Sequence, residues 1–201
     1  MHTENRDEMR ERIIEAALKR FTHYGASKTT MNEIADDLHC SKASLYYYFP
    51  DKHALHLAVL EKAGEMYFQE IEQSTAEAPN AEAALLDMIP VRQNFARKFC
   101  RLELFKVLKD KQLLNSDETF RLAREKETAI VAGIIRKGVA GGELVSDNPD
   151  QVAALYIQSM IGLRLSLSTR ELTDEISEEE FETVRQWQVQ LADIFIKGLK
   201  S

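Results

Sequence analysis

Glycine and proline are scarce in this chain, eight and four among 201 residues. So few breakers leave room for few turns, which favours long helices over a many-stranded sheet. Cysteine is scarcer still. Cys40 and Cys100 lie far apart and make no disulfide framework, as suits a reducing compartment. All five histidines (His2, His23, His39, His53, His56) fall in the first 56 residues. Most of the chain therefore offers no histidine for a nucleophilic triad or a His-based metal site, and no nucleophile or metal motif appears. No catalytic residue, metal or cofactor is expected, and an α-helical enzyme is the weakest reading. Long apolar runs are missing too. The longest, near Val152 to Leu163, is broken by Gln158 and Ser159 and is too short to span a bilayer. The polar start MHTENRDEMR carries no signal segment. A cytoplasmic protein with no membrane partner is expected.

Net charge is −7, which argues at first against nucleic acid, but the distribution is uneven. Residues 1–55 carry −1 and the remainder −6. A near-neutral N-terminal module can present a local basic face. That module is strongly periodic. Ile13, Ile14, Ala17, Leu18 and Phe21 follow one helix face over about 6–24, and Gly25 supplies a left-handed stop. Thr30 followed by Glu33 is a capping box that opens a short helix, 31–38, with Ile34, Ala35 and Leu38 inward. His39 and Cys40 break it. Ser41 caps a third helix, 42–49, closed by Pro50, and Asp51 caps a fourth that starts at Lys52. A three-residue break without glycine needs one left-handed residue, so positive φ is expected at His39.

A long helix followed by two short ones across a tight turn is a helix-turn-helix unit. Its third helix reads SKASLYYYF, with Leu45 and Phe49 inward at i, i+4. At 100° per residue, Tyr47 then points nearly opposite the core beside Ala43, flanked by Tyr46 and Tyr48, with Ser44 near Tyr48. Such a fan of phenols suits the base edges, thymine methyls and phosphate walls of a major groove. Lys42 could reach a guanine or a phosphate, and Thr30 and Lys52 sit at helix N-termini that favour phosphate.

Residues 12–55 resemble the DNA-binding domain of the TetR family of bacterial transcriptional regulators. The resemblance rests on the Ile13-Ala16-Ala17-Phe21 face, Gly25, Thr29-Thr30, Ile34-Ala35, Ser41 and Leu45-Tyr46-x-Tyr48-Phe49, with Lys52 and Leu55. His39 departs from the family's usual glycine. The resemblance implies an all-α protein with two domains, a DNA-binding module over 1–55 and a helical ligand-binding and dimerisation domain over 56–201. It carries DNA contact onto Thr30, Lys42, Ala43, Ser44, Tyr46, Tyr47, Tyr48 and Lys52. Implied partners are a palindromic duplex operator, a second copy of the chain and a small-molecule effector that releases a repressor. The runner-up is a helical DNA-binding protein without an inducer, controlled by a protein partner or acting in chromosome architecture.

The remaining body reads as helices. The helix from 51 to about 74 is followed by a loop at 76–80. A short helix 81–89 is stopped by Pro90, and another covers 91–108. Further helices cover 117–140, about 148–169 from the Asn148-Pro149 start, and about 177–199 from a Ser177/Glu180 capping box. Glu178, Glu179 and Glu180 suit that helix's first turn without any metal. The penultimate helix is apolar nearly all round and must be covered on two sides. The resemblance implies a dimer through the last two helices, with Leu155, Ile157, Ile161, Val184, Leu191 and Phe195 at the interface and Ile194 on the same helix. It also implies an effector cavity in the middle helices, near Met66, Tyr67, Met88, Phe95, Phe99, Phe105, Phe120, Tyr156 and Arg164. Core packing is the default reading of each apolar member. Arg164 interrupts an apolar helix and could pair across the dimer, line the cavity or reach solvent. Cys100 reads as a buried inert thiol before a redox sensor.

Overall fold

The computed structural model describes residues 2–102, 118–166 and 177–200, with side chains from Arg6 and from Arg121 in the first two stretches. The described residues are helical, without a strand: α1 (His2–Tyr24), α2 (Met31–Asp37), α3 (Lys42–Tyr48), α4 (Lys52–Glu77), α5 (Ala81–Lys98), a 3₁₀ turn at Cys100–Leu102, α6 (Glu118–Ala140), α7 (Pro149–Ser166) and α8 (Glu178–Leu199). The chain forms two compact units. One holds Met1–Met66 and Lys98–Leu104, and the other holds Tyr67–Arg97 and Phe105–Ser201. The first unit contains the whole of 1–55 and adds the first half of α4 and the stretch around the 3₁₀ turn.

The core of the first unit is the stripe anticipated from periodicity. Ile13, Ala17 and Phe21 of α1, Ile34 of α2, Leu45 of α3 and Leu55 and Val59 of α4 are all fully buried. The caps fix the short helices, which are too brief to hold themselves. The Glu33 amide donates to Thr30 Oγ1 at 3.3 Å, and the Thr30 amide donates to Glu33 Oε2 at 2.7 Å. Ser41 Oγ accepts from the Ser44 amide at 3.1 Å, and Asp51 Oδ1 accepts from the Ala54 amide at 2.7 Å. Gly25 takes φ +93° at the end of α1. His39 takes φ +52°, as expected, and the Cys40 amide reaches back to the Ala35 carbonyl at 3.0 Å. Arg20 forks onto Asp37 at 2.5 and 3.0 Å and ties α1 to the end of α2.

The second unit packs α5, α6, α7, α8 and the end of α4 around Leu85, Met88, Ile89, Val131, Ile135, Tyr156, Ile157 and Met160. One expectation fails here. Pro90 does not stop a helix, and α5 runs through it from Ala81 to Lys98. Proline removes one backbone donor and crowds the preceding turn. Pro90 lies on the exposed side, where water can serve the freed carbonyl. Leu85, Met88 and Ile89 before it and Gln93 after it are all buried, so both halves stay on the core. The helix then ends before the 3₁₀ turn at Cys100–Leu102, short of the expected residue 108. The Gln93 side chain donates to Gln188 Oε1 at 2.7 Å, and Gln188 donates to the Met160 carbonyl at 3.3 Å, so this buried amide pair is satisfied. Among the described residues, no helix is long and apolar enough to cross a membrane.

Candidate nucleic-acid interface

The geometry of α3 follows from its cap. Ser41 starts the helix, Leu45 and Phe49 enter the core, and the opposite half faces out. Tyr47 is 66% exposed and Tyr46 40%. Lys42 and Ala43 are exposed, while Ser44 and Tyr48 are half-buried at the edges. The phenols are held in place. The Tyr47 and Tyr48 rings meet edge to face at 5.2 Å, and Lys42 Nζ stands 5.7 Å from the centre of the Tyr46 ring. Stacking restricts these side chains before any partner arrives, which lowers the ordering cost of binding.

Thr30 is exposed at the start of α2, its hydroxyl donating to Glu33 Oε2 at 2.8 Å. Lys52 opens α4 and donates from Nζ to the Ser27 carbonyl at 3.2 Å. The Glu33 and Asp37 carboxyls lie below their ordinary range, the first through its Thr30 hydrogen bonds and the second through Arg20. These acids of the first unit are thereby engaged with the protein's own groups. Two cations missed in the sequence also stand at this surface. The Arg6 guanidinium lies 5.4 Å over the Tyr47 ring, and that of Arg10 lies 5.2 Å over the Phe49 ring. The signal was available: 6 and 10 continue the 13, 17, 21 stripe one heptad towards the N-terminus.

In the second unit the candidate effector residues divide. Met88 and Tyr156 are buried in the core, and Tyr67 and Phe95 are half-buried with ring centres 4.9 Å apart. Met66 and Phe99 belong to the first unit. Phe105 lies outside the described residues, as does the side chain of Phe120. A polar cluster that the sequence did not reveal sits beside Tyr67. The Tyr67 hydroxyl donates to Glu127. Arg92 Nη2 forms an ion pair with Glu127 Oε1 at 2.6 Å. Burial pushes the Tyr67 phenol well above its ordinary range, against the opposing pull of Arg92. Burial likewise raises Tyr156 to about 12. Arg164 is buried with its guanidinium 4.5 Å over the Phe181 ring, which removes the solvent-reaching reading.

The expected interface residues divide as well. Ile157 and Val184 are fully buried inside their own chain, so they have no surface left for a partner, and both assignments are corrected. Ile161, Leu191 and Phe195 pack on the core and stay half-exposed. Leu155 is 60% exposed and Ile194 65%. Trp187, Leu191 and Ile194 fall at i, i+4, i+7 on one face of α8.

Comparison with known proteins agrees with this architecture. The family model for "Bacterial regulatory proteins, tetR family" matches residues 13–59. The HTH-type transcriptional regulator RutR of Escherichia coli K12 is 30% identical over 63% of this chain, and the match spans 61% of RutR's own length. A probable acrEF/envCD operon repressor of the same organism is 40% identical over 43 residues, covering 21% of this chain and 20% of that one. A crystal structure of a transcriptional regulator from Cytophaga hutchinsonii superposes with a TM-score of 0.85 at 35% identity, covering 95% of this chain and 98% of that one. A TetR-family regulator from Pectobacterium atrosepticum shares the fold at 16% identity, with a TM-score of 0.76 over 96% of this chain and 95% of that one. With its helix-turn-helix matched and 95% of its length paralleled by a solved regulator at 35% identity, the chain belongs to the TetR family of bacterial regulatory proteins.

Proposed function

We propose that this chain is a cytoplasmic, ligand-responsive transcriptional regulator, a repressor that binds a palindromic operator as a homodimer and leaves it when a small molecule binds the body. Residues 1–55 are the DNA-binding domain and 56–201 the ligand-binding and dimerisation domain. The observation that carries the reading is the outward face of α3, where Tyr47 is the most exposed of three phenols, stacked edge to face on Tyr48, with Lys42 beside Tyr46. Two such helices about 34 Å apart meet successive major grooves, which is why a dimer is needed. The exposed apolar residues Leu155 and Ile194 support α7 and α8 as its interface. The polar cluster of Tyr67, Arg92 and Glu127, set beside Phe95, supports effector recognition in the second unit. A ligand that prefers one spacing of the recognition helices is linked to DNA release by its differential affinity.

The test separates base contacts from phosphate contacts. An operator is first selected from a random duplex library with the wild-type protein, and a scrambled duplex of equal length serves as control. Base contacts carry sequence information and phosphate contacts do not. Tyr47→Ala should weaken operator binding by about 1–3 kcal/mol and leave the scrambled duplex nearly unchanged. Lys52→Ala should weaken both and make the salt slope shallower by about one unit per subunit. Equal weakening of both duplexes by Tyr47→Ala would make this tyrosine a backbone contact and refute the outward phase as a base-reading one.

A further inference from the structure

We propose that Arg6 and Arg10 carry the DNA-contacting surface off α3 and onto the first turns of α1, as cations that engage backbone phosphates beside the groove Tyr47 enters. The inference rests on the DNA-binding reading above and concerns residues that precede the matched segment 13–59.

The sequence explains their position. Ile13, Ala17 and Phe21 bury one stripe of α1. Arg10 and Arg6 continue that stripe at i−3 and i−7, so they point to the same side as the core. There the core has ended, and what lies beneath them is the end of α3. Arg10 rests on Phe49 and Arg6 on Tyr47, at 5.2 and 5.4 Å. A guanidinium within about 6 Å of an aromatic ring centre is drawn to the ring face. That attraction biases its position. A guanidinium has more N–H donors than one ring contact engages, so donors remain for an acceptor.

The surrounding charges favour a phosphate as that acceptor. Both arginines are exposed, and neither makes an ion pair among the described residues. Glu11 is engaged by Lys62 at 3.0 Å, and Glu8 is about 200° around the helix from Arg6. Asp7 lies about 100° around from Arg6 and about 60° from Arg10, and forms no ion pair with either among the described residues. The result is a short cationic stripe that touches the most exposed recognition residue and is continuous with the α3 face. Arginine's planar fork matches phosphate oxygens in pairs. Contacts of this kind fix register on the duplex while Tyr47 faces base edges.

The experiment uses the full chain and a mixed-sequence duplex, since phosphate contacts need no operator. Binding is measured across a salt series for wild type, Arg6→Gln/Arg10→Gln, Arg6→Lys/Arg10→Lys and Lys137→Gln. Lys137 is an exposed cation of α6 in the second unit and controls for net charge. Circular dichroism checks that each variant stays folded. The double glutamine variant should flatten the salt slope by about one unit per arginine per subunit, and the double lysine variant should restore most of it. Lys137→Gln should leave the slope as in wild type. An unchanged slope in the glutamine variant overturns the proposal while wild-type binding keeps the DNA-binding reading intact. Equal flattening by Lys137→Gln overturns it too, as an effect of net charge. Failure of the wild-type protein to bind any duplex at low salt overturns both readings together.

Discussion

Leu155 and Ile157 stand two residues apart on α7 and should answer the same truncation in different currencies. Ile157 is fully buried within its own chain. Ile157→Ala leaves a cavity and should cost about 2–5 kcal/mol of fold stability. Leu155 is 60% exposed, so Leu155→Ala should change the fold of a single chain by only about 0.5 kcal/mol in either direction. In the proposed dimer, that exposed part is what a partner covers. Fully burying a leucine is worth about 1.5–3 kcal/mol, so covering the part exposed here is worth about 1–2 kcal/mol. A two-fold axis repeats the contact, giving about 2–4 kcal/mol per dimer. That is on the order of 30- to 1000-fold in the dimer Kd. Sedimentation equilibrium over a dilution series reads the Kd, and urea unfolding at one fixed concentration reads the fold, since dimer stability depends on concentration. A Leu155→Ala dimer with an unchanged Kd would remove this face of α7 from the interface. An Ile157→Ala protein that assembles poorly yet unfolds at the wild-type midpoint would refute the separation of core from contact.

His39 holds φ +52° without the freedom of glycine. His39→Gly relieves about 1 kcal/mol of left-handed strain and loses part of that to unfolded-state entropy, so urea unfolding should show a gain of at most about 1 kcal/mol. His39→Val should destabilise, and a valine variant at least as stable as wild type would contradict the strained turn. Tyr156 has a folded pKa raised by burial to about 12, above the unfolded phenol near 10. Its neutral form therefore supports the fold below about pH 10, and that support is lost as pH rises towards about 12. Tyr156→Phe should unfold with a shallower alkaline decline, measured by denaturant midpoints at several pH values. An identical decline in both proteins would mean that the Tyr156 phenol is not held neutral by its burial.

Most of the first unit was legible because its signals are local and agree with one another. A capping box, a serine cap and a break needing positive φ each act within a few residues of the side chain that shows them. Thr30, Ser41 and His39 could be assigned their backbone roles without any tertiary contact. Pro90 was misread for the complementary reason. Its local effect is to weaken a helix, but Leu85, Met88, Ile89 and Gln93 are buried on both sides of it. The packing of those side chains opposes a loss of about 3 kcal/mol, and nothing within a few residues of the proline announces that packing.

The two candidate faces differ in how much phase their sequences carry. Along residues 42–49, Leu45 and Phe49 are the large apolar residues among polar tips, so they can point only one way and Tyr47 follows. In α7, apolar residues surround the helix, and its own sequence assigns no inward side. Ile157 is buried and Leu155 exposed because of how α7 lies in the second unit, which neither residue encodes alone. Arg92 and Glu127 were hidden in the same way, since two charges 35 positions apart become a buried pair only when α5 and α6 meet. Arg6 and Arg10 are a third case. In the sequence they are two charges near a polar end, and such charges are common on solvated helices. Their meaning depends on Tyr47 and Phe49, about 40 residues later, lying beneath them. Helical periodicity can place a cation on a stripe, but only the crossing of α1 over the end of α3 puts that stripe beside the face proposed to read DNA.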